Sequence, residues 1–171
     1  TDFEGLLTVT GNSHIASASI YASIFSSMTE PEALAPINGE GRSRPAAAAV
    51  DGKMYVIGGE ISGGRAQTVE EFDPATGIWT TQANWMPNPA SNICTGVIGT
   101  DIYVPGGYDA TSTYLDTLQV YYTTVDAWGT ITSDPLPVPL AGHGCGVLDG
   151  KLYVFGGVTT GGTYSVATYV Y

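Results

Sequence analysis

Short apolar stretches that alternate with polar residues, bounded by glycine or proline, recur along the chain. Met54–Ile57 follows Asp51-Gly52, a dipeptide typical of a two-residue hairpin turn, and ends at a pair of glycines. Ala46–Val50 precedes the turn, and Thr68–Phe72 and Ile78–Thr81 come after the glycines. β-Branched and aromatic residues are common in these stretches, so the pattern predicts four antiparallel strands between residues 41 and 90.

The amino-acid sequence around this hairpin is repeated. Residues 51–59 are DGKMYVIGG and residues 149–157 are DGKLYVFGG, with a looser copy at 99–107 and a degenerate one at 4–12. The first glycines of the four copies are spaced 47, 48 and 50 residues apart, at Gly11, Gly58, Gly106 and Gly156. A near-constant interval of this length predicts a structural repeat with one small sheet per copy.

The repeat divides one predicted domain, residues 1–171, into four units. The first, about 1–40, lacks its first strand, and the last, about 141–171, lacks its fourth. The units at about 41–90 and 91–140 are complete. Because such sheets bury their apolar faces against like neighbours, we expect a partial array. The chain, which starts without Met, is then either a fragment of a longer protein or a subunit completed by a second chain.

The repeated residues resemble the kelch motif. Each complete unit has a glycine pair, an aromatic residue about 14 positions later, a tryptophan about 20 positions after the pair and a closing proline. The matching positions are Gly58, Gly59 and Trp79, then Gly106, Gly107 and Trp128, and finally Gly156 and Gly157. The resemblance implies an all-β fold, a kelch-type β-propeller with blades of four antiparallel strands. It also implies an interaction platform, since few kelch propellers are enzymes.

Composition narrows the range of partners. With 16 acidic and 5 basic residues, the formal net charge is −11, which disfavours nucleic acid and anionic membrane surfaces. No apolar run reaches the roughly 20 residues that cross a bilayer. Acidic residues such as Glu70 and Asp126 are interpreted as a solvated surface. The low lysine content and Ser/Thr/Gly-rich composition predict an extracellular or cell-surface location.

Three aromatic residues in predicted loops are the candidate contacts for a ligand or partner: Trp85, Tyr108 and Tyr114. Aromatic side chains at the rim of a propeller suit either a protein partner or a glycan. Trp79 and Trp128 are instead expected to pack between blades.

The two cysteines, Cys94 and Cys145, lie near the starts of successive units. They form either a disulfide across the junction or two small buried thiols. His143 is expected to bond to backbone in a turn. No convergent ligand set or catalytic motif is apparent, so no metal, cofactor or catalytic residue is assigned.

The sequence therefore predicts a non-enzymatic protein-interaction or structural module. One alternative is a carbohydrate-binding or sugar-processing propeller. A second is a fragment of an enzyme that resembles the copper-radical oxidases, which need two histidines, a metal-binding tyrosine and a cysteine-linked tyrosine together.

Overall fold

The computed structural model of the chain describes residues 34–131 and 134–171. Most of the predicted first unit, including Gly11 and its flanking strands, lies outside the described residues. The elements below belong to one compact unit, Ala35–Tyr171. All of its regular structure is β, with no helix among the described residues.

The second repeat forms a four-stranded antiparallel sheet and a two-stranded ribbon. Its strands are β1 (Ala46–Val50), β2 (Lys53–Ile57), β3 (Glu60–Ile61), β4 (Gly64–Arg65), β5 (Val69–Asp73) and β6 (Ile78–Thr81). The sheet order is β1-β2-β5-β6, and β3 pairs with β4. Asp51 and Gly52, with φ of 50° and 76°, form the hairpin turn between β1 and β2, where both central residues need a positive φ.

The third repeat forms a second sheet of the same design. Its strands are β7 (Gly96–Ile98), β8 (Asp101–Pro105), β9 (Leu118–Tyr122) and β10 (Ala127–Ile131), in the order β7-β8-β9-β10. Its first strand is short, with β7 beginning at Gly96. The residues before β7 instead run toward the preceding sheet, where Thr95 Oγ1 donates to the carbonyl of Ala47 at 2.6 Å.

The fourth repeat forms three strands of a sheet and shares a ribbon with the segment before it. The strands are β11 (Leu140–Ala141), β12 (Gly144–Leu148), β13 (Lys151–Phe155), β14 (Val158–Thr159) and β15 (Thr168–Val170). The sheet order is β12-β13-β15, and β11 pairs with β14. The predicted all-β fold of partial propeller blades is confirmed, and the described sheets do not close a ring.

The apolar core lies between the sheets. One buried cluster joins Ala46, Val50 and Ile57 of the second repeat to Ile102 and Val104 of the third. A second cluster joins Leu118 of β9 to Leu152 and Val154 of β13, through Leu136 and Leu140. Each sheet therefore depends on its neighbour for burial, as expected of stacked repeats.

Glu70 does not belong to the solvated surface, so that interpretation is wrong for this residue. Its side chain is 2% exposed and accepts a 2.7 Å hydrogen bond from Thr81, and it lies 3.4 Å from Arg42, whose side chain is 4% exposed. Arg42 also donates to the Gly58 carbonyl and to Thr68. A buried carboxylate needs such partners, and here Arg42 comes from the segment that enters β1 and Thr81 from β6.

Candidate functional site

The segments that enter the first strand of each sheet bring the repeats together. We call residues 41–45, 88–95 and 138–143 the lead-ins of the second, third and fourth repeats. In each sheet the antiparallel order puts the connection after the second strand at the same end as the lead-in. This end carries the glycine pairs, and we call it the loop end.

The two glycines of a pair have different neighbours. A methyl group on Gly58 or Gly106 would lie 2.5 or 2.6 Å from the carbonyl oxygen of Ala90 or Leu140, each in the next repeat's lead-in. On the second glycine it would approach the lead-in of the same repeat, at 3.0 Å from Ser43 for Gly59. The first glycine thus leaves room for the lead-in of the next repeat, and the second leaves room for the lead-in of its own repeat.

The lead-ins also contact one another through a repeated backbone conformation. Arg44, Asn92 and Gly142 occupy equivalent positions and have φ of 53°, 57° and 66°. The amide of Asn92 donates to the Arg44 carbonyl at 3.2 Å, and the amide of Gly142 donates to the Asn92 carbonyl at 2.7 Å. These bonds align three loops from successive repeats into one continuous surface. The left-handed region is uncommon for Arg and is maintained here by the surrounding bonds.

Tyr108 and Tyr114 lie side by side at this surface. Their rings are 5.0 Å apart in an edge-on arrangement, and both residues are partly buried. The guanidinium of Arg65, from the preceding repeat, lies 5.6 Å above the Tyr108 ring, and its Nε donates to the Tyr108 carbonyl at 3.0 Å. A cation over a ring face is attracted by the ring's electron density. Arg65 therefore fixes Tyr108 in place across the junction.

Asp109 shapes the loop between the two tyrosines. Its carboxylate accepts 2.8 Å hydrogen bonds from the amides of Thr111 and Thr113 and a third from the Thr111 hydroxyl. Burial acts to raise the pKa of Asp109, but the hydrogen bonds from Thr113 and Thr111 outweigh it and lower the pKa. The loop is therefore closed by an ionised carboxylate.

A cavity of about 240 Å³ opens beside the tyrosines. It is lined by Arg44, Asn92, Tyr108, Tyr114, Ala141, Gly142 and Val158. Arg44 is its cation: the side chain is 58% exposed, and its guanidinium lies 3.1 Å from the Glu60 carboxylate. An ion pair this exposed contributes little to stability, so Arg44 can exchange Glu60 for another acceptor.

Trp85 lies apart from this cavity. The residue is 61% exposed and lines a separate cavity with Ile61, Arg65, Gln67 and Thr68. Arg65 is shared between the two regions. Of the three predicted contact residues, the structure thus brings Tyr108 and Tyr114 together and places Trp85 at a separate cavity.

Trp79 and Trp128 make equivalent contacts between repeats. The ring of Trp79 lies 5.0 Å from that of Phe72, and the ring of Trp128 lies 5.1 Å from that of Tyr121, both in tilted arrangements. Their indole N–H groups donate to the carbonyls of Ala35 and Asn84, each 44 residues earlier in the chain. Each tryptophan therefore binds the connection that arrives from the preceding repeat.

The cysteines meet at the junction between the third and fourth repeats. The structure joins Cys94 to Cys145 as a disulfide with a Cα separation of 5.6 Å. His143 lies beside them, and one ring nitrogen and both sulfurs are within 4.8 Å of one another. Burial lowers the pKa of His143 to about 4, although its bond to the Pro105 carbonyl acts in the opposite direction.

Sequence reasoning missed Arg44, Arg65, Asn92 and the grouping of His143 with the cysteines. For the last group a signal was available, because His143 and Cys145 are two residues apart at the start of a strand and so share a face. For Arg44 and Asn92 the repeat pattern contained no signal, since the equivalent residue in the fourth repeat is Gly142.

The stacked antiparallel sheets, joined by lead-ins at one end, define part of a β-propeller. The KLHDC2/KLHL20/DRC7 Kelch-repeats domain model matches residues 45–171. The chain belongs to the kelch-repeat family, which confirms the resemblance drawn from the glycine pairs and tryptophans.

Curated relatives agree with this assignment. The chain is 34% identical over 121 residues to Kelch-like protein 15 of Gallus gallus, covering 68% of this chain and 24% of the relative. It is 37% identical over 119 residues to Kelch-like protein 23 of Pongo abelii, covering 67% and 20%. For Kelch-like protein 33 of Homo sapiens the identity is 34% over 111 residues, covering 65% and 20%. The chain thus spans a quarter or less of the length of these relatives.

The comparisons overturn one prediction. An extracellular or cell-surface location is wrong, because the kelch-like proteins that the chain matches are typically intracellular. The composition on which it was based, few lysines and many Ser, Thr and Gly, follows equally from a fold rich in strands and tight turns. No helix in residues 34–131 or 134–171 has the length and apolarity to cross a membrane.

Proposed function

We propose that this chain is a non-enzymatic protein-interaction module that binds a partner segment at the loop end, over Arg44, Tyr108 and Tyr114. Membership of the kelch-repeat family supports an interaction role. The observation that carries the location is the cavity between these three side chains, assembled from loops of three successive repeats.

The charge distribution supports an acidic partner. The chain has a net charge of −11, yet three of its five basic residues, Arg42, Arg44 and Arg65, lie at the loop end. Arg42 and Arg65 are almost fully buried and act on Glu70 and Tyr108, so the exposed Arg44, paired with Glu60, is the arginine that a partner can reach. An exposed guanidinium beside two aromatic rings suits a segment that presents a carboxylate next to an apolar or aromatic side chain.

The proposal includes a second kind of partner, namely further propeller blades. Because the chain spans at most a quarter of its relatives, further blades, from the same longer chain or a second subunit, pack against the fourth repeat. Phe155, Val166 and Val170 are 48%, 102% and 55% exposed there. This sheet lacks an outer strand and exposes apolar side chains. Burying them against another blade is more favourable than leaving them in water.

Selection from a displayed random-peptide library, followed by calorimetry on the enriched peptides, tests the binding surface. We expect enrichment of acidic residues next to apolar ones, and a loss of affinity of at least tenfold in Arg44→Glu. Lys151→Glu is the matched control, since it makes the same change in charge at the opposite end of the sheets, beside the Asp149-Gly150 turn.

Three results would overturn this location: peptides without an acidic preference, equal losses in the two variants, or binding only to members of a glycan panel. The last result would instead favour the carbohydrate-binding alternative, which rests on the same aromatic residues. Elemental analysis of the native protein for copper tests the oxidase-like alternative separately.

A further inference from the structure

Three side chains that can ligate a soft metal lie together at the junction between the third and fourth repeats. They are separate from the proposed binding surface over Arg44, Tyr108 and Tyr114. Cys94 precedes β7, Cys145 is the second residue of β12, and His143 lies immediately before β12. One ring nitrogen of His143 and both sulfurs lie within 4.8 Å of one another. Two thiolates and one imidazole are ligands that zinc prefers, and such a set with a fourth, open position is typical of exchangeable or reactive zinc sites.

The hydrogen bonds of His143 identify which nitrogen is available. Nε2 lies 3.1 Å from the carbonyl oxygen of Pro105. A carbonyl can only accept, so Nε2 carries the proton and Nδ1 carries a lone pair. The residue is 6% exposed, and Nδ1 is buried without a hydrogen-bond partner. Burying a polar atom unpaired is costly, and metal-ligating histidines usually have their other nitrogen held by a carbonyl in this way.

We propose that Cys94, Cys145 and Nδ1 of His143 form a redox-controlled Zn²⁺ site. With both cysteines reduced, two thiolates and a neutral imidazole balance the charge of the ion, and water occupies the fourth position. With the cysteines joined as a disulfide, two of the three ligands are lost and the ion is released. The site therefore exchanges a covalent link between two repeats for a metal link.

The interconversion needs a thiol reductant, such as glutathione or a protein dithiol. The reductant supplies two electrons and two protons, its own thiols become a disulfide, and Cys94 and Cys145 become thiols. Zinc binding then releases those two protons to solvent. The Cα separation of 5.6 Å lies within the range usual for a disulfide.

A disulfide alone leaves part of the arrangement unexplained. A pair of cysteines needs no third ligand, whereas this pair lies against a buried imidazole with its lone pair unsatisfied. Gly157 packs against the base of that side chain, since a methyl group there would lie 2.8 Å from the His143 Cβ. The histidine is therefore held between the Pro105 carbonyl and the fourth repeat's own glycine pair.

Titration of the full chain with Co²⁺ tests the site, after reduction by a phosphine under argon. We expect one equivalent to bind with thiolate-to-cobalt charge-transfer absorption, and Zn²⁺ to displace it. The disulfide form should bind none. Cys94→Ser, Cys145→Ser and His143→Ala should each weaken binding at least tenfold, whereas His14→Ala, at the chain's other histidine, should leave it unchanged.

Alkylation provides a second measurement that does not depend on a variant folding. In the reduced wild-type chain, Zn²⁺ should slow the alkylation of both cysteines at least tenfold. The proposal is overturned if the reduced chain binds no Co²⁺ at micromolar concentration, if the complex lacks thiolate bands, if His143→Ala binds as the wild type does while folded, or if zinc leaves the alkylation rate unchanged.

Discussion

A methyl group on Gly106 would lie 2.6 Å from the carbonyl oxygen of Leu140, a residue of the next repeat's lead-in. The same carbonyl accepts a 2.8 Å hydrogen bond from the Gly107 amide. The lack of side chains at the glycine pair therefore allows the backbone of the next repeat to approach closely. Gly156 is the equivalent residue of the fourth repeat, and no heavy atom of the described residues approaches its methyl position within 4 Å.

We predict that Gly106→Ala destabilises the chain more than Gly156→Ala. The two positions have φ of 55° and 70°, so alanine suffers similar backbone strain at both, about 1 kcal/mol. At Gly106 the methyl group must also displace a carbonyl, which adds about 2 kcal/mol. Equilibrium urea denaturation of the two variants measures the difference. Equal midpoints would show that the contact with Leu140 has no energetic consequence.

The same pair tests whether another blade follows. In a longer protein whose next blade packs against the fourth repeat, Gly156 would meet a lead-in carbonyl as Gly58 and Gly106 do. We expect Gly156→Ala then to cost about as much as Gly106→Ala, roughly 3 kcal/mol. If the cost stays near 1 kcal/mol in the longer protein, the fourth repeat forms no junction of this kind.

The tryptophans provide an independent prediction about the junctions. Trp128→Phe keeps a ring against Tyr121 but removes the indole N–H that donates to Asn84. The expected cost is about 1 kcal/mol, and Trp79→Phe should cost the same through its bond to Ala35. Trp85→Phe is the control: it is 61% exposed and should change stability by less than about 0.5 kcal/mol. Urea midpoints that rank Trp85 with the other two would contradict the assignment.

The features that the sequence predicted are those with local signals. The Asp-Gly turn, the alternation of β2 and the glycine pair each lie within nine residues, so the hairpin and its repetition were predictable. The burial of Glu70 was not, because Arg42 reaches it from 28 residues away. The same holds for Arg65 above Tyr108, which are 43 residues apart. Contacts between residues this far apart along the chain leave no local signal in the sequence.

Gln119 carries a further contact of this type. Its side chain is fully buried, with Oε1 accepting from the Asn88 amide at 2.9 Å and Nε2 donating to the Asn88 carbonyl at 3.0 Å. Gln119→Glu replaces the donor by a carboxylate oxygen facing that carbonyl, with an expected cost of about 2 kcal/mol at neutral pH. Burial would raise the pKa of the new carboxyl above its unfolded value, so the cost should shrink as the pH falls toward 5. A cost independent of pH by urea denaturation would contradict this account.

Reduction of the chain provides the last prediction, since it links the stability of the repeats to the proposed metal site. The disulfide closes a loop with a sequence separation of 51 residues, and the chain-entropy model assigns about 4 kcal/mol to such a constraint. The reduced, metal-free chain should therefore unfold at a lower urea concentration than the oxidised chain. The proposed site is assembled only in the folded dithiol form, so Zn²⁺ should restore part of the loss, by about 2.7 kcal/mol at a hundredfold excess over its dissociation constant. His143→Ala should abolish this recovery without changing the effect of reduction, because the imidazole is a ligand of the metal and takes no part in the disulfide. A recovery that persists in the His143 variant would assign the stabilisation to zinc bound elsewhere.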